Sequence, residues 1–472
     1  MNALVDNRQA RCVDNRMFNE DNRFGSSRWG QTDQIRRAGL LGDNGPILAY
    51  TPDGRHAMRL PTDGHALYIG GVGSGKSAGW YLLNQCGGYL LEPDGEGGNS
   101  VDLDVRGDLT AVSTVAATMD GFEQYSFNPT GVPWAPQHRC NPWDDLTLDS
   151  PSLIADNRDK FVNLLPLSVN SGGKVKWWEA DAQEWGSQLN LSLVERDGST
   201  TMTKFYRLIN TVEGDLGAWC DHLEFMGSSR FLEVRRCGQA IMDKQKEGRE
   251  GFTAPMSTLY TTLNFMQDTR IQDALDGSDF SMGDVVDDNR RVRIKLIIPI
   301  EHLRQWAPAI RSLIASSIIQ KLRRPGARRL TFQIDECGQL GAFPAIRQLY
   351  SFGRGAGCRA LCAWQSTGQI MEAFGFEGFQ EIMNSAQVRM FKGVRDIATA
   401  GVVSRMVGKQ TLQLAAGRGQ AAKAPGGAAH DERGRPLRDR PRNAPLSKRL
   451  GAPHQAGTGP DYGIRGPEPA KR

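Results

Sequence analysis

The chain has 472 residues, of which 39% are hydrophobic and 23% charged, and its formal net charge is +4 at pH 7. This length allows two or three domains, and the composition is that of an ordinary globular protein, which excludes a fibrous or wholly disordered chain. No run approaches the ~20 consecutive apolar residues that span a bilayer, and residues 1–28 lack the apolar core of a signal peptide. We therefore expect a cytoplasmic protein.

The eight cysteines contain no C-x-x-C pair, and the seven histidines show no metal-binding spacing. This usage indicates reduced, mostly buried thiols and argues against zinc ligands or a disulfide framework.

The first motif follows a short apolar run at 66–69, which we interpret as a buried strand. The next eight residues fit G-x-x-x-x-G-K-[ST] in full, and they are Gly70, Gly71, Val72, Gly73, Ser74, Gly75, Lys76 and Ser77. Glycines allow the tight turn that points successive N–H groups at an anion, and a helix beginning near Lys76 would add its positive end. We predict that these eight residues bind ATP, with Lys76 at the β- and γ-phosphates and Ser77 as a ligand of Mg²⁺.

The second motif lies about 260 residues further on, where the apolar strand 330–334 ends in Asp335 and Glu336. A carboxylate at a strand tip can hold the magnesium ion through water, and its neighbour can orient or deprotonate the attacking water. We predict that Asp335 takes the first role and Glu336 the second.

Between and around these motifs the patterns alternate between strand and helix. Strands are predicted at Tyr89–Leu91, which leads into Glu92–Glu96, and at 125–127, 292–298, 360–364 and 388–393. Helical patterns dominate residues 150–285, at 177–194, 203–212, 215–224, 229–244 and 253–267, and return at 307–322, 343–352 and 396–407. This order predicts a disordered N-terminus (1–24), a nucleotide-binding domain in two halves (25–149 and 286–411), an all-helical inserted domain (150–285) and a low-complexity tail (412–472).

The tail is Gly-, Ala-, Pro- and Arg-rich, and residues 411–472 carry a net charge of +7. It has too few apolar residues to offset the entropy of ordering, so we expect disorder. Two interpretations stay open: loose contact with nucleic-acid phosphates, and an inert solvated tail.

Several segments resemble the TraG/TraD-type coupling proteins of conjugation and type IV secretion. Residues 25–29 are similar to the family's G-S-A-R-W, 92–96 to its D-P-K-G-E, and 140–142 to its Y-N-P. Residues 334–341 resemble L-D-E-F-A-x-L-G, 353–357 match G-R-G-x-G, and Gln365-Ser366 match its Q-S. The resemblance covers about residues 24–411.

The resemblance implies an α/β fold: a RecA-like P-loop NTPase domain with an inserted all-helical domain, assembled as a homo-hexamer that uses ATP and Mg²⁺. It implies that Gln365 senses the γ-phosphate and that Arg354 is an arginine finger reaching a neighbouring subunit's ATP. The implied partners are single-stranded DNA, a relaxase or secreted protein substrate, and inner-membrane secretion channel components. The implied function is ATP-driven delivery of DNA or DNA–protein complexes to that channel.

The family normally begins with transmembrane helices, which this sequence lacks, so we expect peripheral attachment at the inner membrane. The family's lysine in D-P-K-G-E is Asp94 here. Two alternatives stay open: a soluble hexameric DNA motor or helicase, and a non-catalytic, truncated substrate receptor.

Overall fold

The computed structural model describes residues 27, 30–51, 53–60, 63–88, 97–168, 175–248, 250–414 and 431–436. The chain divides into two compact units. The larger contains residues 44–47 and 60–399, and the described residues of the smaller lie within 27–43, 48–59 and 400–436.

The larger unit is built on a seven-stranded sheet in which every paired strand is parallel, as the predicted α/β fold requires. Two short strands, β1 (Ile47–Tyr50) and β2 (Ala57–Arg59), form a separate sheet that, apart from Ile47, belongs to the smaller unit. The main strands are β3 (His65–Gly70), β4 (Asn99–Asp104), β5 (Glu123–Phe127), β6 (Val292–Ile297), β7 (Leu330–Ile334), β8 (Cys358–Trp364) and β9 (Ala386–Lys392). They lie in the order β5-β6-β4-β7-β8-β3-β9. Strands β3 and β7, which lead to the two predicted motifs, are buried along their whole length, as expected of central strands in a parallel sheet.

Helices alternate with the strands along the chain and fill the long segment between β5 and β6. They are α1 (Thr32–Arg37), α2 (Asp108–Met119), α3 (Leu153–Leu164), α4 (Trp177–Asp197), α5 (Met202–Gly214), α6 (Leu216–Gly227), α7 (Leu232–Glu247), α8 (Glu250–Leu263), α9 (Thr269–Leu275), α10 (Ile300–Leu303), α11 (Ala307–Arg323), α12 (Pro344–Phe352), α13 (Thr367–Ser385) and α14 (Ile397–Val407). The predicted helical character of residues 150–285 is therefore present, while the exact domain boundaries stay a prediction. No helix in the described part of the chain is both long and apolar enough to cross a membrane.

Strand β4 lies inside the sheet, between β6 and β7, although it was not predicted from the sequence. Four of its six residues are polar, yet all six are buried. Asp102 accepts a 2.7 Å hydrogen bond from the buried ammonium of Lys295 on β6, which compensates its charge. The strand predicted at Tyr89–Leu91 and the following residues to Glu96 lie outside the described residues.

One buried arginine connects the end of helix α3 to the segment that follows strand β7. Arg311 of α11 donates hydrogen bonds of 2.8 Å each to the carbonyl oxygens of Asn163 and Leu164 on α3, and to that of Leu340 after β7. Burial lowers the pKa of Arg311 to about 10. Its three bonds satisfy carbonyl groups that would otherwise be unpaired at a helix end.

In the segment predicted as a tail, the structure describes residues 412–414 and 431–436. Strand β10 (Lys409–Leu414) pairs antiparallel with β11 (Asp431–Pro436). Residues 1–24 and the rest of the tail lie outside the described residues.

Candidate active site

The predicted phosphate loop begins where β3 ends. Gly73 and Gly75 adopt left-handed backbone conformations, with φ of 76° and 80°, which glycine reaches at no steric cost. A helical segment follows over 76–88, with π-helical turns at Ser77–Tyr81 and Asn84–Gly88. The local order of strand, glycine turn and helix is the one that the motif predicts.

The helix is fixed to the sheet by the buried hydroxyl of Tyr81. This hydroxyl lies 2.9 Å from the carbonyl oxygen of Ile334 on β7 and 3.1 Å from that of Leu361 on β8, to which it donates. Burial raises the pKa of Tyr81 well above its ordinary value, so the hydroxyl stays a donor. The phosphate loop is therefore held in register with the two strands that carry the other site residues.

Asp335 and Glu336 lie at the carboxyl end of β7, beside this loop. The Ser77 hydroxyl donates a 2.8 Å hydrogen bond to Asp335 Oδ2. The Lys76 ammonium forms an ion pair with Glu336 Oε1 and lies 3.6 Å from Asp335 Oδ1. The structure thus brings together four of the residues predicted from two motifs 260 residues apart.

The two carboxylates differ in backbone and environment. Glu336 has φ 61° and ψ 40°, and it is the single non-glycine residue with positive φ among those described. This turn directs consecutive carboxylates into the same site. Burial raises the pKa of Asp335, although the nearby Lys76 ammonium and the Ser77 hydroxyl act to lower it.

Gln365 joins the same cluster from the end of β8. Its side-chain Nε2 donates a 2.8 Å hydrogen bond to Glu336 Oε2, and its backbone N–H donates to Gln369 Oε1 on α13 at 2.9 Å. Because Lys76 holds the other carboxylate oxygen, Glu336 is oriented from both sides. Gln365 therefore lies in the same cluster as Lys76 and Glu336, while its role as a sensor of the γ-phosphate stays a prediction.

The residues present fit a phosphate chain with a divalent cation. The Ser74 hydroxyl is buried in the loop without a hydrogen-bond partner among the described residues, which is an unmet polar group where an anion would lie. Ser77 and Asp335 supply two oxygen atoms of the kind that Mg²⁺ prefers. The described residues contain no cluster of three or more His, Cys, Asp or Glu side chains suited to a metal, so phosphate oxygens and water would complete the coordination.

Arg354 lies apart from this cluster. It belongs to the turn Gly353–Ala356 before β8, where a Cβ on Gly353 would be 3.5 Å from the imidazole of His65, the first residue of β3. The phosphate loop starts at the other end of β3, about 16 Å away across five steps of ~3.3 Å from His65 to Gly70. Arg354 is exposed, and the structure does not bring it to the phosphate loop of its own chain.

Residues 92–96, which resemble D-P-K-G-E, lie outside the described residues, so that resemblance stays a prediction. A separate acidic turn, Asp104–Asp108, begins at the end of β4. Asp104 is the last residue of β4, and its carboxylate accepts hydrogen bonds of 2.8 Å from the backbone N–H groups of Gly107 and Thr110 at the start of α2. Asp104 therefore pairs backbone N–H groups at the first turn of α2 that have no partner within the helix.

Comparison with known proteins decides the family. Residues 28–425 match the family described as Type IV secretory system Conjugative DNA transfer.

The chain belongs to this conjugative DNA transfer family.

The resemblance predicted from the motifs is therefore confirmed. Protein VirD4 of Agrobacterium fabrum is 25% identical over 415 residues, covering 84% of this chain and 58% of that protein. The conjugal transfer protein TraG of Escherichia coli is 22% identical over 438 residues, covering 82% of this chain and 64% of that protein. This member of the family thus spans less than two thirds of the length of either relative.

Solved structures confirm the predicted fold class for this family member. The coupling protein TrwBdeltaN70, in its unbound form, superposes with a TM-score of 0.63 at 16% identity, covering 86% of this chain and 84% of that one. TrwB in complex with ADP and Mg²⁺ gives a TM-score of 0.62 at 16% identity, covering 82% and 83%. At this identity the likeness concerns the fold.

Proposed function

We propose that this protein is a Mg²⁺-dependent ATPase that couples ATP hydrolysis to the delivery of single-stranded DNA, or a DNA–protein complex, to a type IV secretion channel. One observation carries the proposal: Lys76, Ser77, Asp335, Glu336 and Gln365 meet at one edge of the sheet. Membership of the conjugative DNA transfer family supports it, as does the nucleotide-bound TrwB of similar fold.

Each residue has a role that follows from its contacts. Lys76 neutralises phosphate charge, and the loop amides around Gly75 donate to phosphate oxygens. Ser77 and Asp335, already joined by a hydrogen bond, hold the cation. ATP supplies the anhydride whose cleavage releases the free energy for transport.

Glu336 is the residue that activates water. Its carboxylate has one oxygen paired with Lys76 and the other bonded to Gln365, so its orientation is set before the reaction. A positioned base of this kind contributes about 10²–10⁴ in rate. Gln365 lies at the end of β8, so its hydrogen bond connects the base to that strand.

Arg354 acts on the site of an adjacent subunit in a homo-hexamer. It is exposed and lies at the opposite end of β3 from its own phosphate loop, which leaves it available to another chain. An arginine finger supplied in this way contributes about 10³–10⁵ in rate. A relaxase or secreted protein and the membrane channel are the partners that this function requires.

The test is ATP hydrolysis with and without single-stranded DNA, compared with nucleotide binding. We expect turnover that rises with DNA and protein concentration. Glu336→Gln should bind ATP but lose at least about a hundred-fold in turnover. Glu377→Gln is the matched control, because Glu377 is an exposed residue of α13 outside the site. ATP binding without turnover, even with DNA present, would contradict the motor and favour a non-catalytic receptor.

A further inference from the structure

The last strand of the sheet, β9, lies next to the strand that leads into the phosphate loop. In the parallel register of β3 and β9, Gly70 is paired with Lys392. The next residue, Gly393, has φ 63°, and its carbonyl oxygen would be 3.4 Å from a Cβ placed on Gly71. The end of β9 therefore lies directly beside the phosphate loop, although β9 belongs to neither of the two motifs.

Lys392 extends its ammonium group along this loop. Its Nζ lies 3.3 Å from the position that a Cβ of Gly75 would occupy. Gly75 is the residue before Lys76, so a second cation lies against the backbone whose amides would face a phosphate chain. The absence of a side chain at Gly75 is what leaves room for this approach.

The two lysines differ in their present partners. Lys76 has 9% of its side chain exposed and pairs with both Asp335 and Glu336. Lys392 is exposed, and its ammonium group has no hydrogen bond or ion pair among the described residues. The charge of Lys76 is thus already balanced by two carboxylates, whereas that of Lys392 is available to an anionic ligand.

We propose that Lys392 is a second phosphate-binding cation of this site and contacts the phosphate chain of a nucleoside triphosphate from the β9 side, within the same chain. The proposal rests on the nucleotide-binding function proposed above. Lys76, Asp335 and Glu336 together carry a net charge of −1, which opposes a polyanion even when Mg²⁺ accompanies it. Lys392 offsets this charge, and its flexible side chain lets the ammonium follow the phosphates as a point charge.

The experiment measures the affinity of the full-length chain for Mg²⁺ with a non-hydrolysable ATP analogue. We expect Lys392→Gln to weaken binding about ten-fold, the typical loss for one charge-assisted hydrogen bond. Lys392→Arg keeps the charge and should stay within about three-fold of the unaltered protein. Lys246→Gln is the matched control, since it removes the same charge from an exposed position at the end of α7 and should leave the affinity unchanged.

A second measurement, the salt dependence of the affinity, distinguishes phosphate contact from a structural effect. The affinity of the unaltered chain should fall more steeply with salt than that of Lys392→Gln, because one charge contact is missing in the variant. Equal affinities and equal salt dependence for the two proteins would overturn the role of Lys392 and leave the proposed function standing. Failure of the unaltered protein to bind the analogue would overturn both.

Discussion

The side-chain amide of Gln365 donates a 2.8 Å hydrogen bond to the carboxylate of Glu336. This contact joins the ends of two adjacent parallel strands, β7 and β8, so the orientation of the proposed base depends on both strands. The phosphate loop, Asp335, Glu336 and Gln365 therefore form one connected cluster.

Lys76→Ala removes the ammonium that pairs with Glu336 and lies 3.6 Å from Asp335. We expect ATP affinity to fall at least about ten-fold, because a charge-assisted contact to phosphate is lost, and turnover to disappear. Titration with a fluorescent ATP analogue measures the first effect and phosphate release the second. Lys246→Ala, at an exposed position far along the chain, controls for loss of one positive charge; near-normal hydrolysis by Lys76→Ala would remove the assignment of this loop.

Arg354→Ala should be inactive by itself, yet it should restore part of the activity when it is mixed with Lys76→Ala. The reason is geometric: one variant offers an intact phosphate loop and the other an intact arginine, so a complete site can form at a mixed subunit boundary. The rate of ATP hydrolysis as a function of mixing ratio is the measurement. If mixtures remain inactive while unaltered protein turns over, the arginine does not act across a boundary.

Arg311→Met should destabilise the fold without touching the site. The three backbone carbonyls that Arg311 serves would be left unpaired, and we expect a loss of about 3–5 kcal/mol in the free energy of unfolding. Urea denaturation measures the change. Arg304→Met is the control, because Arg304 is exposed on the neighbouring segment; equal destabilisation by both variants would show that the buried hydrogen bonds are not responsible.

Asp144→Asn should stabilise the protein at neutral pH. Burial raises the pKa of Asp144 to about 6, with Asp145 and Asp284 acting in the same direction and Lys160 and a hydrogen bond from Ser281 opposing them. Because the folded pKa lies above the unfolded value, the contribution of this carboxyl to stability is fully present below about pH 4 and is lost as pH rises through 6. The neutral asparagine avoids this loss.

The gain from Asp144→Asn should therefore be absent near pH 4 and reach about 1–3 kcal/mol above pH 7, by the worth of a shift of this size. Urea denaturation of both proteins from pH 4 to pH 8 gives the difference directly. A gap that is the same at every pH would mean that ionisation of this carboxyl does not contribute.

The parts of the fold that the sequence predicts best are those whose physics is local. Strands β3 and β8 contain continuous apolar runs at 66–69 and 360–364, and β7 alternates apolar and polar residues. The phosphate loop is a fixed spacing of glycines followed by Lys76 and Ser77. Strand β4 was not predicted because most of its residues are polar, as in a loop. The carboxylate of Asp102 can be buried there because the ammonium of Lys295, 193 residues further along the chain, compensates its charge. No local pattern reveals such a pairing.

The candidate site was likewise predictable where its signals are local and not where they depend on the order of the strands. Asp335 and Glu336 follow a clear strand, and the parallel sheet brings their edge to the phosphate loop. The contact of Gln365 with Glu336 required knowledge that β7 and β8 are neighbours, which came only from resemblance. Lys392 was not predicted, because its nearness to Gly75 depends on β9 joining the far side of β3.

The left-handed backbone of Glu336 affects which substitutions are tolerated at this position. Holding a residue with a Cβ in this conformation costs about 1 kcal/mol, and glycine would relieve that cost while deleting the carboxylate. Deleting it would also leave the buried Lys76 ammonium paired with Asp335 alone and remove the acceptor of the Gln365 hydrogen bond. The contacts that orient the Glu336 carboxylate are therefore the ones that hold its strained backbone, and relief of strain alone does not make Glu336→Gly more stable.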